Sequence, residues 1–322
     1  MGQIWLTGAD GFVGTWLRQR LVARNIPFLS LVLPENAHAI SGSVVGLDLV
    51  TAAGQASSEP VLDFESLPAP TGLIHLAALS FPPACEENPD LARSINVVGP
   101  SRLYEQLLVR WPELPILHIS SGHVYQPQPT PLSEEQVLEP INVYGATKLE
   151  GEAVALGLRD RGHHVSVVRP FNHSGRGQDL SFVLPSFAVR LAKLEADGGG
   201  TLAVGRLDSV RDFLHVQDVV DTYLALLERT EAFALCNLCS GEGLAIQEFL
   251  SGLVARCAVP VEVQTDSARL RGSQDANCLV GDNKKLCQLL GKGPQLQFDL
   301  LLDELMEDAR ARVARGEDLS WA

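Results

Sequence analysis

A glycine-rich segment near the N-terminus constrains the fold of this chain more than any other feature. Residues 4–7 form an apolar run, residues 12–23 have a helical pattern, and Gly8, Gly11 and Gly14 lie between and at the start of the helix. In such a strand-to-helix turn the first glycine permits a tight turn, the second lets backbone approach a diphosphate, and the third lets the helix pack closely on the sheet. The helix N-terminus supplies free amides and a partial positive charge. The segment therefore predicts a dinucleotide site.

The order of apolar runs predicts an α/β fold. Short apolar runs bounded by turn residues alternate with helical stretches through the first half, which is typical of a parallel sheet covered by helices. The predicted strands are residues 4–7, 28–33, 44–47, 73–76, 116–120 and 165–169, and the predicted helices are 12–23, 91–111, 142–158, 182–195, 216–229 and 300–313. We predict a doubly wound parallel sheet in a dinucleotide-binding domain, residues 1–169. A smaller α/β substrate domain follows, residues 170–322, with some chain crossing back to the first.

Charge and composition narrow the classes of partner. The chain has 322 residues, 46% of them hydrophobic, and a formal net charge of -14. A nucleic acid or an anionic membrane would reward a basic surface, so we expect neither as a main partner. No apolar run reaches the length of a membrane span, and no signal-like segment opens the chain, so we expect a cytoplasmic protein.

The cysteines do not predict a disulfide framework or a metal centre. There are six in the whole chain, irregularly spaced. Cys236 and Cys239 have the spacing of half a zinc site, but no second close pair and no matching histidine spacing accompanies them. We therefore expect buried thiols and no bound metal.

Two residues one helical turn apart predict the chemistry. Tyr144 and Lys148 lie on the predicted helix 142–158, on the same face. A phenol with a pKa near 10 exchanges protons poorly at neutral pH unless a nearby positive charge stabilises its anion, and Lys148 can supply that charge. A serine at the end of the neighbouring strand can hydrogen-bond the substrate oxygen that gains or loses the proton, and both Ser120 and Ser121 qualify. The pattern indicates a nicotinamide-dependent oxidoreductase.

The residues that would contact the adenosine half leave the choice of cofactor open. Asp48, after the predicted third strand, could accept a hydrogen bond from the adenine amino group. At the end of the second strand an acid binds a free ribose 2'-hydroxyl, whereas an arginine accommodates a 2'-phosphate. Here Glu35 is displaced from that place and no arginine follows. The sequence therefore predicts NAD(H) or NADP(H) without distinguishing them.

These motifs together resemble the extended short-chain dehydrogenase/reductase family, in particular its nucleotide-sugar branch, over nearly the whole chain. The matching segments are the glycine turn, residues 75–78, Asn96, and residues 120–125, 144–148, 169–173 and 211–216. Residues 169–178 and 182–185 are most similar to enzymes of GDP-linked sugars. The resemblance implies a Rossmann-type fold, often a homodimer, and it selects Ser121 as the catalytic serine beside Tyr144 and Lys148.

The resemblance also implies residue roles in binding. It places the cofactor on Gly8, Gly11, Phe12, Val13, Gly14, Asp48, Leu49, Leu76, Ala77, Ala78, Asn96, Tyr144, Lys148 and Phe171. It places the nucleotide-sugar on Ser121, His123, Asn172, Val183, Leu184, Arg211 and Arg271, with Val183 and Leu184 against the base. Two arginines suit a diphosphate because each can bind it bidentately.

The implied reaction is reduction of the 4-keto group of a nucleotide-linked 4-dehydro-6-deoxyhexose, with GDP-4-dehydro-6-deoxy-D-mannose as the expected substrate. The alternatives are a nucleotide-sugar 4,6-dehydratase or an epimerase that keeps its NAD bound, and, outside enzymes, a catalytically silent dinucleotide sensor. A dehydratase usually has an acid two residues past its catalytic serine, and this chain has His123 there.

Three further departures from the family pattern are Gln126, Val143 and Gln274. The polar, proline-rich residues 126–140 predict a surface loop able to lie over the site. His173 is expected to serve in packing rather than catalysis.

Overall fold

The structure of the protein is a computed structural model, and it describes residues 2–54, 59–229, 233–266 and 278–317. The strands are β1 Gln3–Thr7, β2 Phe28–Val32, β3 Val44–Gly46, β4 Pro70–His75, β5 Ile116–Ile119, β6 Val165–Pro170, β7 Asn172–Ser174, β8 Gly200–Val204, β9 Val210–Arg211, β10 Phe213–His215, β11 Leu235–Leu238, β12 Leu244–Ala245, β13 Val261–Thr265 and β14 Cys278–Leu279. The α-helices are α1 Phe12–Ala23, α2 Leu49–Gly54, α3 Pro82–Glu87, α4 Pro89–Arg93, α5 Gly99–Arg110, α6 Val143–Asp160, α7 Val183–Asp197, α8 Val216–Leu227, α9 Ile246–Val254, α10 Lys284–Leu290 and α11 Phe298–Ala314.

A seven-stranded parallel sheet organises the first half of the chain. Its order is β3-β2-β1-β4-β5-β6-β11, so the chain starts in the middle and winds outward in both directions. Successive side chains of a strand point to opposite faces. In β1, Trp5 packs into the hydrophobic cluster on one face, while Ile4 and Leu6 pack into the cluster on the other. The predicted doubly wound sheet is confirmed.

Helices cover both faces of this sheet. α1 and α8 pack together on one face, where Leu17, Leu21 and Tyr223 are buried. α5 and α6 cover the other face through residues such as Leu107 and Leu158. Both α8 and β11 come from the second half of the sequence, so the chain returns to the large sheet after residue 215. The division into two domains at residue 169 stays a prediction.

A separate hydrophobic cluster lies in the C-terminal half. α7, α9 and α11 pack on one another and on β8. The amphipathic stripe predicted at 300–313 forms α11, whose Leu302, Leu305 and Met306 are buried in this cluster. α7, α8 and α11 follow the predicted ranges closely, but α9 and α10 were not predicted, and neither were the strands of this half. Several have only two or three residues, too few for apolar alternation to show.

The helix predicted over residues 91–111 is wrong in its middle. α4 and α5 are separated by a π-helical turn at residues 94–98. Pro100 has no N–H to donate to the carbonyl of Asn96, so the α-helical hydrogen bond is lost there. The side-chain amide of Asn96 forms hydrogen bonds with the backbone of Leu79 and donates to the Thr147 hydroxyl at 2.9 Å. These bonds join the π-helical turn to α6.

Among the described residues, no helix has both the length and the apolar character needed to cross a membrane.

Cys236 and Cys239 are buried free thiols.

α1 packs so closely against the glycine turn that adding one methyl group at Gly14 should destabilise the fold. A Cβ at position 14 would lie 2.2 Å from the carbonyl oxygen of Gly8 and 2.7 Å from Ala9 Cα, both backbone atoms. We expect Gly14→Ala to lower the free energy of unfolding by about 1–3 kcal/mol in urea titrations. The control is Gly157→Ala in α6, where nothing lies within 4 Å, and this change should add about 0.5–1 kcal/mol. Equal effects of the two substitutions would contradict this packing.

Candidate active site

One large cavity lies along the carboxyl edge of the sheet. Its volume is about 910 Å³, and its walls run from the residues after β3 to those after β6. In open parallel sheets, ligands bind at this edge, where the strand order reverses. The reversal here falls between β1 and β4, and the glycine turn lies at that point.

The glycine turn has the geometry that its sequence predicts. Gly8 has a φ of 64°, and a Cβ there would lie 2.8 Å from the backbone nitrogen of Ala77. The Thr7 hydroxyl accepts hydrogen bonds from the amides of Leu76 and Ala77, which fixes the loop after β4 against the turn. This leaves a cradle of bare backbone at the N-terminus of α1, and a dinucleotide diphosphate fits it.

Most residues predicted to hold the cofactor line this cavity. They are Gly8, Gly11, Phe12, Val13, Gly14, Asp48, Leu49, Leu76, Ala77, Ala78, Tyr144, Lys148 and Phe171. Asn96 does not line it. Asn96 is buried, and its amide contacts Leu79 and Thr147 instead. We therefore correct its predicted role from cofactor contact to support of the cavity wall.

Ser121, Tyr144 and Lys148 meet in the same cavity. Ser121 and Tyr144 both line the cavity, and the side chain of Ser121 lies within hydrogen-bonding reach of Tyr144. Lys148 is 4% exposed, and its Nζ donates to the carbonyl oxygen of Ile119 at 2.5 Å. Helical spacing puts Tyr144 and Lys148 on one face of α6, and the end of β5 presents Ser121 to them. The three predicted residues are thus brought together.

Desolvation sets the protonation of this group. It raises the pKa of Tyr144 to about 12, and the nearby Ser121 side chain acts in the opposite direction. Desolvation also lowers the pKa of Lys148 to about 8, against the attraction of the Glu152 carboxylate. Near pH 7 the phenol therefore carries its proton, and the lysine is still charged.

A buried ion pair behind these residues was not predicted. Glu152 and Arg169 are 2–3% exposed, and their side chains form two hydrogen bonds of 2.6 and 2.8 Å. Ser120 donates its hydroxyl hydrogen to Glu152, so of the two candidate serines Ser121 is the one whose hydroxyl is left to act with Tyr144. Arg169 also donates to Tyr125 at 2.8 Å. Glu152 follows Lys148 by one helical turn, a sequence signal that could have indicated it.

The residues predicted to bind the substrate divide into three groups. Ser121, His123, Asn172, Val183 and Leu184 line the cavity. Asn172 Oδ1 is buried and has no hydrogen-bond partner among the described residues, as expected of an atom that binds a ligand. Arg211 lies on β9 and is not among the lining residues, so its contact with the substrate stays a prediction. Arg271 and Gln274 lie outside the described residues.

Two histidines and two unpredicted aromatic residues complete the substrate end. The His123 ring lies edge-on to Tyr144, with centroids 5.6 Å apart. His173 stacks on Phe12, and its Nδ1 is 3.0 Å from the carbonyl oxygen of Phe171. Phe81 and Phe182 line the cavity and pack edge-to-face, with centroids 6.1 Å apart. These two come from separate loops, so the sequence pattern did not connect them.

The loop at residues 126–140 does not lie over the site as expected. None of its residues lines the cavity. Leu132 is buried, and its backbone exchanges hydrogen bonds with Val280 and Asp282. Asn237 donates to the carbonyl oxygen of Leu132 at 2.8 Å, which attaches the loop to β11. The loop is held against the body because its apolar and backbone groups find partners there.

Comparison with known proteins agrees with this geometry. The model of the NAD dependent epimerase/dehydratase family matches residues 4–238. The chain is 33% identical to GDP-6-deoxy-D-mannose reductase of Pseudomonas aeruginosa, over 97% of this chain and 98% of that protein. It is 28% identical to GDP-6-deoxy-D-talose 4-dehydrogenase of Aggregatibacter actinomycetemcomitans, over 90% of this chain and 91% of that protein. The structure of RMD from Pseudomonas aeruginosa complexed with NADPH superimposes with a TM-score of 0.82 at 31% identity, covering 97% of this chain and all of that one.

The fold and the site define an NAD(P)-dependent oxidoreductase of the extended short-chain dehydrogenase/reductase class. The chain belongs to the NAD dependent epimerase/dehydratase family. The resemblance read from its motifs is confirmed.

The pKa of Lys148 predicts how catalysis depends on pH. The lysine is positive below a pKa of about 8, and only the positive form stabilises the phenolate that remains when Tyr144 gives up its proton. We expect the reductive kcat/KM to be level from pH 6 to 7 and to fall through an apparent pKa near 8. Steady-state rates in buffers of constant ionic strength measure this profile. A rate that rises or stays level up to pH 9.5 would contradict the assignment.

Proposed function

We propose that this enzyme reduces the 4-keto group of a nucleotide-linked 4-dehydro-6-deoxyhexose, with GDP-4-dehydro-6-deoxy-D-mannose as its substrate. The observation that carries the proposal is the meeting of Ser121, Tyr144 and buried Lys148 in the same cavity as the glycine turn. The relative of 33% identity, a GDP-6-deoxy-D-mannose reductase aligned over nearly the full length of both chains, supports the choice of sugar.

Each residue has a distinct role in the proposed reaction. Ser121 holds the substrate carbonyl oxygen by a hydrogen bond, and Tyr144 gives its proton to that oxygen. Lys148 stabilises the phenolate that results. The dinucleotide, when bound to the glycine turn and to the residues after β3 and β4, supplies the hydride. Tyr144 begins each cycle protonated, since its pKa, raised by desolvation to about 12, lies far above neutral pH.

The other end of the substrate would be held by the second half of the chain. Asn172 Oδ1, buried and without a hydrogen-bond partner among the described residues, would accept from a substrate hydroxyl. Val183 and Leu184 would pack against the base. We retain Arg211 and Arg271 as candidates for the diphosphate, Arg211 by a rearrangement of its side chain.

Reduction is favoured over dehydration by the residue two places after Ser121. A 4,6-dehydratase usually has an acid there to move the proton at sugar C5, and His123 occupies the place with its ring edge-on to Tyr144. A dehydratase or epimerase also returns its hydride to the sugar, so neither consumes cofactor. Cofactor stoichiometry therefore distinguishes the candidates.

The proposal predicts cofactor oxidation that depends on the sugar. With GDP-4-dehydro-6-deoxy-D-mannose generated in situ, we expect one reduced cofactor oxidised for each sugar reduced, followed by absorbance and by product chromatography. Tyr144→Phe should lower kcat by about 10²–10⁴-fold, since it removes only the proton donor. Phe is nearly isosteric, so cofactor binding measured in parallel should be retained.

Sugar turnover without net oxidation would support an epimerase or dehydratase instead. Cofactor binding without turnover of any nucleotide-sugar, unchanged in Tyr144→Phe, would support a dinucleotide sensor.

We further propose that the enzyme is a cytoplasmic homodimer. Exposed apolar side chains on the α4–α5 segment, Leu91 at 39% and Val109 at 85%, offer surface for a second copy. All six cysteines are free thiols, which suits a reducing compartment.

Light scattering coupled to gel filtration should give twice the chain mass of 34.7 kDa. Val109→Glu should shift the particle toward the monomer, because it would place a charge in the interface, while Val22→Glu on α1 serves as a matched exposed control. A monomer at micromolar concentration would contradict the dimer.

A further inference from the structure

One end of the cavity, which we call the ribose end, is formed by Asp10, residues 31–33 and residues 47–50. The glycine turn adjoins it, and the catalytic group lies beyond β4 on the opposite side. With the diphosphate on the glycine turn, the adenosine ribose falls at the end of β2. That is where a nicotinamide enzyme distinguishes a 2'-hydroxyl from a 2'-phosphate. In this chain, however, β2 is followed by Leu33 and Pro34.

A carboxylate nevertheless lies at the ribose end, and it comes from the glycine turn. Asp10 lines the cavity, and its Oδ2 accepts a hydrogen bond of 2.5 Å from Asn36 Nδ2. Asn36 lies in the 3₁₀ turn that follows β2. The bond thus connects the turn after β1 to the turn after β2 and holds the carboxylate between them. An ionised carboxylate accepts about four hydrogen bonds, so one bond to Asn36 leaves capacity for a ribose hydroxyl.

The charges around the ribose end do not suit a phosphate. Lys148, at the catalytic end, is the only lysine or arginine among the described residues that line the cavity. Arg18 on α1 is within electrostatic reach of Asp10, but it is not a lining residue. Its Nε is buried and lacks a hydrogen-bond partner in the described part of the chain. A 2'-phosphate would therefore meet the charge of Asp10 before that of Arg18.

We propose that Asp10, held in place by Asn36, makes this enzyme select NADH over NADPH. Its carboxylate accepts a hydrogen bond from the ribose 2'-hydroxyl and repels a 2'-phosphate. The acid that the end of β2 lacks is thus supplied by the loop between β1 and α1. The similar structure complexed with NADPH belongs to a protein of 31% identity and does not fix the choice in this chain. The inference rests on the proposed function only in requiring a nicotinamide dinucleotide.

The test is calorimetric titration of the full-length protein with NADH and with NADPH, without any sugar. We expect NADH to bind about tenfold more tightly or better, since 1.4 kcal/mol of charge repulsion corresponds to tenfold. ADP-ribose and its 2'-phosphate should show the same order. Equal binding, or tighter NADPH, overturns the proposal. Because no sugar is present, an error in the proposed substrate would leave this result unaffected.

Substitutions distinguish the effect of Asp10 on cofactor choice from the effect of other negative charges nearby. Asp10→Asn should weaken NADH and strengthen NADPH, because it removes the repulsion and frees the charge of Arg18. In the double variant Asp10→Asn, Arg18→Gln, the tighter binding of NADPH should be lost, because the charge of Arg18 is absent. The control is Glu35→Gln, which removes an exposed negative charge one residue before Asn36 and outside the cavity lining. If Asp10→Asn changes the NADH-to-NADPH ratio no more than Glu35→Gln does, the proposal is wrong.

Asn36→Ala provides a second route that leaves the glycine turn intact. It removes only the hydrogen bond that holds Asp10, so it should weaken NADH and lower the selectivity. Circular dichroism and thermal unfolding confirm that each variant is folded before titration. Unchanged selectivity in folded Asn36→Ala would overturn the positioning role of Asn36.

Discussion

The buried ion pair between Glu152 and Arg169 is the interaction on which the rest of the site depends. It joins α6 to β6, and through Ser120 and Tyr125 it reaches the end of β5 and the segment that follows. Tyr125 in turn donates to Asn237 on β11, the last strand of the sheet. Removing one member of such a pair costs about 3–5 kcal/mol, because the other charge is left buried and unpaired. The pair therefore fixes α6, and with it Tyr144 and Lys148, against the strand that carries Ser121.

The same burial gives the site its protonation states. Little water reaches Lys148, and the carboxylate of Glu152 one turn away offsets part of the desolvation that would discharge it. Desolvation raises the pKa of Tyr144 to about 12, because it disfavours the charged phenolate, and the nearby Ser121 side chain offsets only part of that rise. A protonated phenol and a charged lysine side by side suit proton donation to a developing alkoxide. Because Lys148 is buried, its charge acts more strongly than it would in water.

The sequence predicted local features of this molecule well and distant ones poorly. The glycine turn, α6 with Tyr144 and Lys148, and the parallel strands were predicted because each is encoded within a few consecutive residues. The ion pair of Glu152 with Arg169 and the aromatic pair of Phe81 with Phe182 were missed, since each joins separate segments. Asn96 was misplaced because the π-helical turn that buries it depends on Pro100 and on contacts with α6. Arg211 was assigned by resemblance, and it lies on β9 beside Leu279, which lines the cavity, without lining the cavity itself.

The central claim is that this chain delivers hydride to C4 of the sugar while Tyr144 protonates the oxygen on that carbon. The most direct measurement is a single turnover with reduced dinucleotide carrying deuterium at nicotinamide C4, using each stereoisomer in turn, and NMR of the product sugar. The account predicts that one stereoisomer places a single deuterium at sugar C4 and that the other places none. Deuterium at another carbon, or in neither product, would contradict it.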